Sequence, residues 1–207
     1  VNARIHEHLN KTQTKHPETA MAALPRIQFT HCGIFCSDLE MMVDYYRKFL
    51  GFVVSDKGVA STGHRLYFMT QDPEIHHQLV LFDGKPTDLP FNPVNQLSLL
   101  LDSLADLQSY YRRAVKAGVK GIEQVDHGNA WSIYFKDPEG NPIELYVDSP
   151  FFTAQPCREP LNLGLSIDEI LKQTEAMCHR RPGFLSREDW IAEMRERIAA
   201  QRMAFDA

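Results

Sequence analysis

The chain repeats itself, and the repeat limits what it can fold into. Tyr45-Tyr46 returns as Tyr110-Tyr111 after 65 residues, Ser37 as Ser103 after 66, and Gly51 as Gly118 after 67. In each copy the serine stands where a helix would start, the tyrosines inside it, and the glycine at its end. A strand-like run precedes each helix and three more follow it. Two βαβββ units of this kind bury one face of a shared curved layer and leave a cup on the other. The expected class is therefore α+β: paired βαβββ modules forming a curved-sheet cup, followed by a C-terminal helical extension.

Taken in order, residues 1–25 read as a polar, His-rich arm. The domain is expected over 26–148, as a module at 26–84, a linker at 85–93 and a module at 94–148. Module one opens with the strand RIQFTHCGIFC, residues 26–36. Ser37 and Glu40 have the spacing of a capping box. The helix then carries Leu39, Met42, Val43, Tyr46 and Leu50 on one face. Residues 52–55, 65–70 and 75–82 read as strands. Pro86, Pro90 and Pro93 keep the linker out of any central strand. Module two has strands at 94–101, 122–125, 131–136 and 143–148, with a helix opened by Ser103. Residues 149–207 are a helical extension, with helices expected at 166–179 and 186–202, each opened by a serine.

Composition enters mainly by exclusion. A formal net charge of −5 argues against nucleic acid or an anionic membrane as partner. No apolar run approaches the roughly 20 residues of a membrane span. The opening VNARIHEHLNKTQTKHPETA lacks a Met and an apolar core, which suggests a trimmed or tagged start and no secretory signal. The cysteines, Cys32, Cys36, Cys157 and Cys178, have no CxxC spacing. Free thiols and a cytoplasmic protein are the expectation.

The chemistry concentrates in 126–148, DHGNAWSIYFKDPEGNPIELYVD. Residues 137–142 are a turn between two strands, with Pro138 fixing one φ and Gly140 or Asn141 able to take φ > 0. In the second strand Glu144 points away from Ile143 and Leu145. A lone carboxylate there wants water, a cation or a metal. This hairpin, its D-P-x-G-N turn and the duplication resemble the vicinal-oxygen-chelate superfamily of glyoxalase I, extradiol (catechol-cleaving) dioxygenases and bleomycin-resistance proteins. In its metal-binding members the Glu of the last strand is a ligand.

The offset carries His31 onto Gln96 and Glu144 back onto His77 or Gln78, and in the superfamily these four positions ring one metal. THCGIFCSDLE, IHHQLVLF and DHGNAWSIYF look closest to type I extradiol (catechol 2,3-) dioxygenases. That resemblance implies a metal at His31, Gln96 and Glu144, a proton handled by His77, and a catecholate positioned by His127 and Tyr134. The metal implied is divalent: Fe(II) first, with Mn(II), Zn(II) or Ni(II) as options. Gln96 stands where extradiol enzymes carry a second histidine, and an amide oxygen is the weaker donor. The implied partners are a small aromatic diol and O2, with no nucleic acid, no membrane and a homo-oligomer. A glyoxalase-like metal-dependent lyase or isomerase is the alternative, and a non-catalytic small-molecule-binding protein of the same fold is the third reading.

Overall fold

A computed structural model describes residues 26–88 and 90–204; the expected arm at 1–25 lies outside them. Two compact units are present: Gln28–Glu193, which holds both modules, and a second to which Met194 onward belongs.

Module one contains β1 (Cys32–Cys36), α1 (Leu39–Lys48), β2 (Val53–Val59), β3 (Arg65–Thr70) and β4 (Leu79–Asp83). Module two contains β5 (Leu97–Leu100), α2 (Leu104–Lys116), β6 (Glu123–Asp126), β7 (Ala130–Lys136) and β8 (Pro142–Asp148). The duplication is visible in the pairing. In the first sheet the order is β1-β4-β3-β2, with β1 parallel to β4. In the second, β5 runs parallel to β8, followed by β7 and β6. The sequence suggests one shared sheet. Hydrogen bonding instead divides the strands into two sheets, because each crossover through α1 or α2 brings a module's first strand beside its own fourth. β1 and β5 are left as edges.

One apolar core serves both modules. The five residues expected on one helical face are all buried: Leu39, Met42, Val43 and Tyr46 of α1, and Leu50 just beyond its end. They join Ile34, Leu79 and Leu81 of the first sheet and Ile133, Phe135, Ile143 and Leu145 of the second. Strand alternation then leaves Gly33, Phe35, Phe68 and Val80 on the far face of the first sheet. On the second it leaves Ser98, Ser132, Tyr134 and Glu144.

The turn at 137–141 fastens the modules together. Oδ1 of Asp137 accepts from the backbone N–H groups of Glu139 (3.0 Å) and Asn141 (2.9 Å), and Oδ2 accepts from the Asn141 amide and the Tyr46 hydroxyl of α1. Gly140 takes φ +82, as the turn requires. Glu139 reaches across and accepts from the backbone N–H of Ser37 (2.6 Å) and Asp38 (2.8 Å), while pairing with Lys85 at 3.1 Å. The capping box expected at Ser37 and Glu40 is therefore absent. Asp38 is the N-cap of α1, and Glu40 instead accepts from the Tyr67 hydroxyl and Arg65. The remote carboxylate of Glu139 already occupies the Ser37 backbone N–H that a local box would use.

The segment after 148 adds β9 (Phe151–Phe152), β10 (Glu159–Pro160), α3 (Ile167–His179), β11 (Leu185–Ser186) and α4 (Arg187–Ala204). The three short strands have no sequence signal strong enough to read. β10 extends the second sheet beside β6, where Pro160 is tolerated at an edge. Ser166 caps α3 with a full capping box. Ile170 is buried, and Thr174 anchors α3 to β6 and β7: the Trp131 indole donates to its hydroxyl (2.7 Å), which donates to Asp126 (2.5 Å). The apolar stripe expected along α4 is incomplete. Trp190 stacks on Phe152 at 5.3 Å, whereas Ile198 is exposed. Among the described residues no helix is long and apolar enough to cross a membrane, and all four cysteines are free.

Candidate functional site

Glu144 sits at the middle of β8 with Ile143 and Leu145 turned into the core, and register gives it neighbours on both sides. Ser98 of β5 and Tyr134 of β7 are its direct cross-strand partners. Four side-chain donors converge on its carboxylate. Oε2 accepts from Ser98 (2.5 Å) and from the Gln96 amide (3.0 Å). Oε1 accepts from Ser132 (2.8 Å) and from the Tyr134 hydroxyl. Only 8% of Glu144 is exposed, so each donor replaces a water the carboxylate has lost.

Gln96 immediately precedes β5 and is open to solvent. Its Nε2 donates to both Ser98 (2.8 Å) and Glu144, which fixes the amide orientation, since an oxygen there would face a carboxylate oxygen. The carbonyl oxygen Oε1 is thereby turned away from Glu144, with no hydrogen-bond partner among the described residues.

His127 closes the other side. Its Nδ1 lies 2.6 Å from the carbonyl of Cys157, which can only accept, so Nδ1 carries a hydrogen. Nε2 is 2.9 Å from the Tyr134 hydroxyl. Glu144, Tyr134 and His127 thus stand in one line of contacts, in which the single Tyr134 hydrogen goes to Glu144. Burial first, then the hydrogen bond to Glu144 and its charge, push the Tyr134 phenol up to about 12. It remains a donor at neutral pH. The tail completes this arrangement: the Gln155 amide donates to the His127 carbonyl (2.8 Å), and Arg158 lies over the Tyr134 ring at 5.1 Å.

A second constellation lies in module one. The rings of His31 and His77 are 4.3 Å apart, and His77 packs against Phe68 at 4.9 Å. Nδ1 of His77 meets Nδ1 of His76 at 2.9 Å, and Nδ1 of His31 meets the Thr30 hydroxyl at 3.0 Å. Burial first, then the fields of His31 and His76, lower the His77 imidazole below its ordinary value, so it is neutral at pH 7. His77 lies outside β4, which starts at Leu79 rather than at residue 75 as read from sequence. A turn stabilised by Asp72 and by Gln78 occupies those residues. The carbonyl oxygen of Gln78 accepts from Gln71 N (2.9 Å) and the Thr70 hydroxyl (3.4 Å), which commits it to closing that turn.

Register also corrects the internal symmetry. Cys32 pairs with Leu79 and Gly33 with Val80, just as Leu97 pairs with Ile143 and Ser98 with Glu144. His31 and Gln96 are thus equivalent, each one residue before its module's first strand. The counterpart of Glu144 is Val80, and not His77 or Gln78, because the two modules differ in length between helix and last strand. Module one supplies no donor at the fourth position.

His31 and His77 form one group; Gln96, Glu144, Tyr134 and His127 form another. They belong to separate modules, and no hydrogen bond, ion pair or ring contact joins them among the described residues. Nor do three His, Cys, Asp or Glu side chains there stand together as a metal-holding group. Sequence reading missed Ser98, Ser132, the Cys157 carbonyl and Arg158. The two serines were readable, since polar residues at 98, 132, 134 and 144 alternate with apolar neighbours along their strands.

Comparison with known proteins places this geometry in a family. Residues 28–145 match the model of the Glyoxalase/Bleomycin resistance protein/Dioxygenase superfamily, and the chain belongs to that superfamily. Within it the chain stands close to extradiol dioxygenases. It is 33% identical over 164 residues to a biphenyl-2,3-diol 1,2-dioxygenase of Rhodococcus globerulus, covering 73% of this chain and 81% of that one. It is 30% identical to a catechol-2,3-dioxygenase of Bacillus subtilis, over 63% of this chain and 46% of that one. Among solved structures, a domain of the same superfamily from Frankia sp. EAN1pec superposes with a TM-score of 0.50 at 22% identity, over 61% of this chain and 94% of that one. That likeness concerns the fold.

Membership and these relatives imply a divalent metal. The donor types suit one, since imidazole nitrogen, carboxylate oxygen and the unpartnered amide oxygen of Gln96 are all donors that first-row divalent ions take, but among the described residues His31 stands apart from Gln96 and Glu144.

Proposed function

We propose that the protein is an extradiol-type dioxygenase that opens a catechol-type aromatic ring with O2. The observation that carries this reading is the chain Glu144–Tyr134–His127. It joins the buried carboxylate of Glu144 to a phenol and to an imidazole whose Nδ1 carries a hydrogen. Val80 adds support. A glyoxalase-like site needs a fourth donor at that position, whereas a dioxygenase-like site uses three.

His31, Gln96 and Glu144 would hold the metal, Fe(II) in the first instance. When bound, it supplies Lewis-acid activation of two vicinal oxygens and redox chemistry with O2. The protein's own groups do the rest. His77, neutral at pH 7, accepts a proton from a diol hydroxyl. Tyr134 and His127 position the diol, with His127 Nε2 against the Tyr134 hydroxyl. The segment after residue 148 serves as an extension that fixes His127 through Gln155 and Cys157. A cytoplasmic, homo-oligomeric enzyme is part of the same proposal.

One observation favours a second reading, a metal-free cup that binds an aromatic ligand: four donors satisfy Glu144 without a cation. Anaerobic reconstitution of wild type and Gln96→His with Fe(II), followed by O2 uptake with catechols of graded size, separates the two. If Gln96 is a working ligand, wild type consumes O2 and the substitution is neutral or harmful. If it is a weakened ligand, Gln96→His is the more active. No uptake by either protein with any catechol refutes the dioxygenase reading.

A further inference from the structure

Between α3 and the β6–β10 edge lies a cavity of about 320 Å³, at the lower end of the roughly 300–1,000 Å³ of small-molecule sites. It is separate from the site around Glu144. Asp126 is the cross-strand partner of Trp131, and Trp131 alternates with Ser132, so Asp126 and the cavity lie on the opposite face of the sheet. One wall is α3, with Ile170, Ala176, Met177 and Arg180 at helical spacing. The other is Asp126 of β6, Glu159 of β10 and Leu161 just past it.

The charges of this cavity gather at one end. Asp126 and Glu159 are direct cross-strand partners, and like charges so placed repel. Asp126 is only 5% exposed, yet it makes no ion pair among the described residues; its oxygens accept from the Thr174 hydroxyl and the Gly128 N–H, both neutral. Glu159 gives one oxygen to Arg181 at 3.3 Å, and its other oxygen has no hydrogen-bond partner among the described residues. That ion pair brings the C-terminal end of α3 beside the two carboxylates. Arg180 stands at this end and makes no ion pair among the described residues. At the other end, Leu161 and Ile170 pack with the main apolar core.

This distribution narrows the guest. An amine alone would meet the unpaired Arg180, and a carboxylate alone would meet Asp126 and Glu159. A zwitterion answers both, and the negative end of the α3 dipole adds to the pull on its cation. The two charges must sit on neighbouring atoms, with an apolar body beyond them. We propose that the cavity is a binding site for a free α-amino acid with an apolar side chain. Its ammonium lies at Asp126 and Glu159, its carboxylate at Arg180, and its side chain against Leu161, Ile170 and Met177. Such a guest is an effector and not a substrate, because the sheet separates it from Glu144. Asp126 directly precedes His127, and Glu159 stands two residues after Cys157, whose carbonyl accepts from His127. The site therefore adjoins both segments that hold His127. The inference does not rest on the dioxygenase reading.

Calorimetric titration of the full-length protein with L-leucine tests it. Saturable binding at one site per chain is expected. Glycine keeps both charges and lacks the side chain; 3-methylbutylamine lacks the carboxylate; 4-methylpentanoate lacks the ammonium. Each should bind at least about tenfold more weakly than leucine, the scale of one lost pocket contact. Arg180→Gln should erase the preference for leucine over the amine, and Glu159→Gln should narrow the preference over the acid. Neither side chain is part of the core, so both variants should keep the wild-type circular dichroism spectrum. No saturable leucine binding, equal affinity for leucine and the amine, or an Arg180→Gln variant that still separates the two overturns the proposal.

Discussion

Thr174→Val tests how the tail is held against the second sheet. Thr174 is fully buried and bridges three elements: it accepts from the Trp131 indole at 2.7 Å and donates to Asp126 at 2.5 Å. Valine preserves the shape and removes both bonds. A buried N–H left without a partner costs about 1–3 kcal/mol, and a hydrogen bond to a charged group contributes about 1.5–3 kcal/mol. The combined loss is about 3–5 kcal/mol, since both partners are nearly inaccessible. For a chain of this length that corresponds to a fall in Tm of about 6–20 °C. The loss also depends on pH. Burial raises the Asp126 carboxyl above its ordinary value, against the lowering effect of the Thr174 bond. A folded pKa above the unfolded one gives stability that is fully present below the unfolded pKa and lost as pH rises through the folded value. Removing the Thr174 bond raises the folded pKa further, so the deficit is greatest near pH 7 and shrinks as pH falls toward about 4, because the folded carboxyl takes its proton above its ordinary value. Urea unfolding at both pH values measures this. A deficit under about 1 kcal/mol, or one equal at the two pH values, refutes the account of this network.

Among the described residues the buried Tyr45 hydroxyl has no hydrogen-bond partner, so Tyr45→Phe should leave stability unchanged or raise it by about 1 kcal/mol, read from the urea midpoint. His77 is neutral because its pKa is lowered, so the acid limb of kcat/KM should have an apparent pKa below 6.5, with activity rising as pH rises through it. His77→Gln should abolish that limb in the pH profile.

Much of the fold was legible because it rests on local signals that agree. The apolar face of α1 has helical spacing, Ser103 and Ser166 are N-caps, and the turn at 137–141 carries the residues its φ values need. What failed was non-local. Glu139 displaces the expected cap at Ser37 from 102 residues away in sequence, and no local pattern announces it. The start of β4 was misplaced because Ile75 and the histidines look strand-like, while the turn there depends on the side chains of Asp72 and Gln78. In the site, alternation was enough to set Glu144 against its apolar neighbours. Counting residues between modules was too coarse to find its counterpart, since a shift of a few residues moved the match from Val80 to His77. The hold on His127 by a backbone carbonyl of the tail has no side-chain signature at all.

The central claim is that Glu144 belongs to a metal centre with His31 and Gln96. Its carboxylate faces polar donors rather than the core, so Glu144→Ala should leave the fold largely intact while removing a ligand. Elemental analysis of anaerobically purified wild type and Glu144→Ala, with matched circular dichroism spectra, tests this directly. The account predicts about one divalent ion per chain in wild type, as a single ligand set would hold, and almost none in the variant. Equal metal content in two equally folded proteins would contradict it.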